Sequence, residues 1–174
     1  MTRLFLYQTI VFSLLGLSWA ACGNGLEPDF RAESANARGR FRGTITFRNW
    51  PPPVPDSLQP DSLRELLFVV YRTPPSAALF LDPNNLADTI FLRRAFYRPT
   101  FQIDREIAAG AYEYVAVAQQ FRGFVLDPNN WRPVGVFGGS PSNPTGAPMV
   151  IQPNQITTNV DIDVDFWRPL PFPR

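Results

Sequence analysis

Two groups of carboxylates and three tryptophans are the residues whose types and spacing could do chemistry in this chain. Asp161, Asp163 and Asp165 stand at i, i+2 and i+4, the spacing with which a calcium-binding loop opens. Ile162 and Val164 alternate with them, however, which makes the stretch a strand, and no glycine or closing glutamate follows. Three aspartates on the wet face of a strand keep it soluble and deter edge pairing, so no metal is expected there. Asp104 with Glu106 or Glu113 could do acid–base work if the pair faced one cleft, but acidic neighbours two residues apart are commonplace on strands. Trp50, Trp131 and Trp167 border strands and loops. Exposed, they would stack on sugar rings; buried, they would lid a core.

The absences are as informative. The 16 basic residues are all arginine, against 15 acidic ones, and histidine is missing. That removes histidine general bases, Ser-His and Cys-His nucleophile pairs, Schiff-base and phosphate-loop lysines, and histidine metal sites. The near-balance of charge gives no bias toward nucleic acid or an anionic membrane face. No catalysis and no cofactor are expected. Leu81-Asp-Pro-Asn-Asn85 and Leu126-Asp-Pro-Asn-Asn130 are the same five letters. Asp-Pro-Asn-Asn is good turn and cap chemistry, and if the strands before the two copies are antiparallel neighbours, the loops leave from opposite ends and share no ligand.

The N-terminus reads as an export signal over residues 1–21: Arg3, then the mostly apolar Leu4–Leu17, too short for a stable membrane span. Ordinary cleavage after Ala20 would release a secreted protein. Ala20-Ala21 directly before Cys22, the only cysteine, resembles the lipobox of bacterial lipoproteins, with Trp19 where leucine is usual. The resemblance implies lipidation of Cys22 and anchoring in the cell envelope, in the outer membrane or periplasm. Lipidation would also account for a lone thiol in an exported chain. Residues 22–39, poor in apolar anchors, read as a flexible tether.

With 19 prolines and 11 glycines along the chain, the rest reads as an all-β domain over 40–166. Arg40–Arg48 alternates Phe41, Gly43, Ile45 and Phe47 with arginine and threonine, a half-buried strand. A proline loop to Asp61 follows. Leu66–Arg72 and Ala111–Gln120 are apolar on both faces, which predicts two adjacent central strands with their outer face covered by long loops. Thr100–Ile107 feeds the second of these through a turn at Gly110. Tyr112 is placed to fill the core and bond a backbone carbonyl nearby. Further expectations are a helical turn around Pro83–Asp88 capped by Asp82, a strand within Ile90–Tyr97, strands Trp131–Phe137 and Ile156–Phe166, and a proline-rich tail over 167–174.

About seven strands with turns at short intervals make an antiparallel Greek-key β-sandwich. Gly43-Thr-Ile-Thr-Phe47, Gly110-Ala-Tyr-Glu-Tyr114 and the closing strand after Asn154 resemble the carboxypeptidase regulatory-like, transthyretin-like sandwich domains. The resemblance implies a non-catalytic accessory or surface module. One branch of that fold hydrolyses a purine-breakdown product with histidines, and that activity does not transfer to a chain without them. The expected protein is therefore an envelope-anchored interaction or scaffolding module. The alternative is a small carbohydrate-binding module that uses its tryptophans.

Overall fold

The computed structural model describes residues 37–51 and 63–173. The expected leader, Cys22, most of the tether and the proline loop beyond Pro51 lie outside them. Asn36–Arg174 forms one compact unit. Its strands are β1 (Arg38–Arg48), β2 (Glu65–Tyr71), β3 (Leu86–Phe91), β4 (Thr100–Ala108), β5 (Gly110–Tyr112), β6 (Tyr114–Gln120), β7 (Trp131–Val136), β8 (Met149–Ile151), β9 (Ile156–Thr157) and β10 (Ile162–Asp165). One sheet has the order β10-β1-β4, with β9 also beside β1; a second has the order β3-β2-β6-β7; β5 and β8 form a small third. The architecture is an all-β sandwich, but not the wholly antiparallel one expected, since β9 and β10 run parallel to β1.

The central pair is β2 and β6, antiparallel with Val69 opposite Ala116, and every residue of both is buried. Their inner face, Leu66, Phe68, Val70, Val115 and Val117, packs on Phe41, Ile45, Ile162 and Val164 of the facing sheet. Their outer face, Leu67, Val69, Tyr71, Tyr114, Ala116 and Ala118, is as dry as the inner one. Phe80 covers it from the β2–β3 connection, and Leu170 and Phe172 cover it from the C-terminal tail. The Leu170 N–H bonds Pro133 O at 2.9 Å. The prolines bar the tail from the sheet interior, as expected, yet the tail closes the second core.

Several local expectations need correction. The stretch Ala111–Gln120 breaks at Glu113, because the chain changes partner there: β5 pairs β8 and β6 pairs β2. Tyr112 therefore faces the inner core, opposite to Tyr114. The expected strand Ile156–Phe166 is split into β9 and β10 by Asn159, whose φ is 62°. Val160 crosses close against β1, where a Cβ on Gly43 would overlap its carbonyl. The helical turn capped by Asp82 is a single one, closed by the Asn85 and Leu86 N–H groups on Asp82 O, and it stops short of Asp88 because β3 starts at Leu86; the Ile90–Tyr97 stretch is the end of β3 plus a 3-10 turn, Arg93–Ala95. β1 begins at Arg38, inside the expected tether, and short β5, β8 and β9 bring the described strands to ten.

These connections define two ends. β3 leads into β4 through 92–99, so Phe91, Thr100, Arg48, Glu65, Gln120, Trp131 and Asp165 share one end, called here the Arg122 end. Arg38, Tyr71, Ala108–Tyr114 and Val136 share the other, the Tyr112 end.

Candidate functional site

Each aspartate of the Asp161, Asp163, Asp165 series has a partner of its own. The Thr44 N–H donates to Asp161 at 2.7 Å, Arg48 lies 3.4 Å from Asp163, and Asn49 Nδ2 donates to Asp165 at 2.9 Å. Burial works to raise the Asp165 carboxyl, but the bonds from Asn49 and the Trp167 N–H outweigh it and hold the group below the usual carboxylate range. Among the described residues no cluster of His, Cys, Asp or Glu is arranged to hold a metal. Asp104 is engaged by Arg40 at 3.2 Å and Arg42 at 3.0 Å, Glu106 by Arg38 at 2.6 Å. Glu113 is exposed at the break between β5 and β6. The structure does not bring these acids to one cleft.

The two structural residues sit at the Tyr112 end. Tyr112 is buried, and its hydroxyl donates to Ala108 O at 2.7 Å; burial raises its phenol above the ordinary value. Gly110 has φ 155°, and a Cβ there would meet no atom within 4 Å. Its need is for backbone freedom, with no packing constraint.

The tryptophans part company. Trp131 is buried on the outer face of β7. Trp50 is half-buried, stacked on Phe166 at 4.5 Å and close to Phe47 at 4.8 Å, with its indole N–H on Arg98 O at 3.1 Å. Only Trp167 of the three is open to solvent, at 75%. Cys22 lies outside the described residues.

The two Leu-Asp-Pro-Asn-Asn copies fold alike. Asp82 accepts from Asn84 N at 3.0 Å and Asn84 Nδ2 at 3.1 Å; Asp127 accepts from Asn129 N at 2.9 Å and Asn129 Nδ2 at 3.0 Å. The Asp82 N–H bonds Leu79 O and the Asp127 N–H bonds Phe124 O, both at 3.1 Å. In each copy an aromatic side chain from the sheet fastens the carbonyl just before the leucine: the Tyr71 hydroxyl on Phe80 O, and the Trp131 indole N–H on Val125 O at 2.7 Å. The last asparagine ties back too, Asn85 to Thr73 and Asn130 to Phe124 O. The loops leave β2 and β6 at opposite ends, but they do not stay apart. The first crosses the outer face, so that its Ala77–Leu79 turn packs on Pro128–Asn130 and Phe80 stands 5.6 Å from Trp131.

A shallow, open groove of about 510 Å³ flanks the first copy, lined by Arg72, Pro74, Pro75, Leu79, Asp82 and Asn84. Its polar groups are engaged locally: Arg72 donates to Asn84 O at 3.1 Å, and Asp82 caps Asn84.

The surface that is left over lies at the Arg122 end. Phe91, Tyr97, Phe124, Leu126 and Trp167 are exposed by 59, 47, 67, 68 and 75%. Beside them are the exposed arginines Arg93, Arg94, Arg98, Arg122 and Arg168. Of the acids at this end, Glu65 takes a 2.6 Å contact from Arg93, a hydrogen bond that also holds the guanidinium in its charged form. Sequence reasoning passed over this end because its residues are far apart in the chain. One signal was available, the apolar run Phe124-Val-Leu126 in a segment whose Gly and Asp-Pro mark it as loop, where polar residues are the rule.

Among the comparisons with known proteins, no protein family, no curated protein and no solved structure matches this chain.

Proposed function

We propose that the chain is a bacterial cell-envelope lipoprotein, anchored through Cys22, whose sandwich acts by contact and carries no catalysis of its own. The observation that supports this reading most is the asymmetry of its surface. More exposed apolar and aromatic side chains, with five exposed arginines, belong to segments at the Arg122 end than at the other end, where Val150 and Ile156 are exposed, whereas the carboxylates that could serve chemistry are engaged by arginines or backbone. Exposed apolar residues gathered beside charge mark contact surfaces. The carbohydrate-binding reading has one residue in its favour, Trp167, which offers a free ring.

The test uses the full chain in a bacterium that processes lipoproteins. A clickable fatty acid is expected to label the wild type, and Cys22→Ala to lose both the label and the membrane fraction. A photocrosslinker in place of Phe124 is expected to capture an envelope component, and one in place of Val150, exposed at the other end, to capture none. Equal membrane association of the Cys22 variant would defeat the anchor, and equal capture from both ends would defeat the contact surface.

A further inference from the structure

We propose that the Arg122 end docks on an anionic lipid surface. Phe124 and Leu126 enter the headgroup boundary while Arg94, Arg98, Arg122 and Arg168 meet the phosphates. The proposal rests on the reading of that end as the contact face, and it names the partner's chemistry.

Three observations converge on lipid. The first is the shape of the apolar part. Phe124, Val125 and Leu126 are consecutive and all exposed, so they project from a turn and line no cleft. A projecting wedge of one aromatic and two aliphatic side chains suits a soft apolar phase, whereas a protein would ask for a matching pocket. The second is the backbone beneath those side chains. Phe124 O accepts from Asn130 Nδ2 and from the Asp127 N–H, and Val125 O accepts from the Trp131 indole. These two carbonyls have partners inside the protein and are not stranded when the loop leaves water. Gly123, at φ 62°, makes the turn, and a Cβ there would overlap the Asn130 side chain. The wedge is thus held out by the fold.

The third is charge. Around the wedge, Glu65 is paired with Arg93, while Asp127 and Asp165 are hydrogen-bonded to neutral groups and keep their charge, so five arginines stand against three carboxylates. Arg94, Arg98, Arg122 and Arg168 have no carboxylate within ion-pairing distance among the described residues. Exposed Trp167 and Tyr97 complete the pattern, since amphipathic rings favour the level of the headgroups. Arginines that lack acidic partners are drawn to a negative leaflet over roughly a Debye length.

The unit Asn36–Arg174, which contains both cores entire, is mixed with vesicles of phosphatidylcholine alone or phosphatidylcholine with phosphatidylglycerol. Cosedimentation is expected with the anionic vesicles only, weakening as salt rises, with a blue shift of tryptophan emission that Trp167→Phe removes. Phe124→Ser with Leu126→Ser is expected to lower partitioning by at least about tenfold. Arg94→Gln and Arg122→Gln are expected to lower it about fivefold each. Val150→Ser with Ile156→Ser, exposed apolar residues away from this end, is expected to change nothing. The proposal is overturned if the unit ignores anionic vesicles, if both serine pairs act alike, or if binding to a soluble acidic polysaccharide survives loss of the wedge. In the first and third cases, crosslinking through position 124 in envelopes would still uphold the contact reading; no capture there would remove both.

Discussion

The same five residues, Leu-Asp-Pro-Asn-Asn, build two loops with matching turn hydrogen bonds; Leu79 and Phe124 ahead of them are both exposed, at 58 and 67%, but the next two side chains have different fates. Position by position, Leu79 matches Phe124, Phe80 matches Val125 and Leu81 matches Leu126. In the first loop Phe80 is 1% exposed, set among Tyr71, Trp131 and Phe172, and Leu81 packs beside it. In the second, Val125 is 38% and Leu126 68% exposed. The turn is thus a local product of aspartate and asparagine chemistry, and what the turn presents is decided by what lies below. The first loop lies over the dry outer face of β2 and β6 and must seal it. The second extends past the end of β6, where that face has already been closed by Trp131, and its apolar residues are left for something outside the molecule.

The largest effect that sharpens this contrast is at its most divergent pair. Phe80→Ala opens the outer core under the loop and should cost about 3–5 kcal/mol, as other buried aromatic truncations do. Val125→Ala should stay within about 0.5 kcal/mol, since the bond to Trp131 uses the Val125 backbone, which alanine retains. Chemical denaturation of the two variants decides. Equal losses would mean that the second loop is also a structural cover, and the asymmetry would be gone.

The identical leucines give a smaller and cleaner comparison, because the local sequence is the same. Leu81→Ser should lose about 1–2 kcal/mol of half-buried apolar contact, and Leu126→Ser almost none of the stability while losing vesicle binding. A stability loss at Leu126 equal to that at Leu81 would show that its exposure does not persist in solution.

How much of this was legible depended on range. β1 could be read from its alternation, and β2 and β6 from their double dryness, because period and burial are properties of a short stretch. Tyr112 and Gly110 were legible for the same reason, as a turn and the ring that ties it. What a stretch cannot carry is the identity of its neighbour. The break at Glu113 exists because β5 leaves for β8, and the break at Asn159 accompanies the close crossing of Val160 at Gly43. Both are decided by residues tens of positions away. The cover of the outer face was required by the sequence, but a tail with three prolines gave no sign that Leu170 and Phe172 would supply it. The contact surface was the least legible, since Phe91, Arg98, Leu126 and Trp167 meet only through the topology.

The smallest expected effect concerns the turns themselves, and it tests their equivalence directly. Asp82 and Asp127 each accept two hydrogen bonds from the asparagine two residues on, at distances that agree within 0.1 Å. If the turn is a local device, then Asp82→Ala and Asp127→Ala should cost the same, about 1 kcal/mol, as loss of a comparable side-chain cap does. The double variant should cost the sum, because separate hydrogen-bond sets couple weakly. Asp→Asn at either site keeps an acceptor and should recover most of the loss. Function should nevertheless divide the pair. Releasing Asp127 loosens the frame that holds Leu126 outward and should weaken vesicle binding, while releasing Asp82 disturbs a loop whose Phe80 and Leu81 pack on the outer core. Unequal stability losses would show that one turn is held by its surroundings and that the shared pentapeptide is a coincidence of letters. Equal losses with equal effects on binding would leave the turns intact as a repeated device but deny the second loop its separate role.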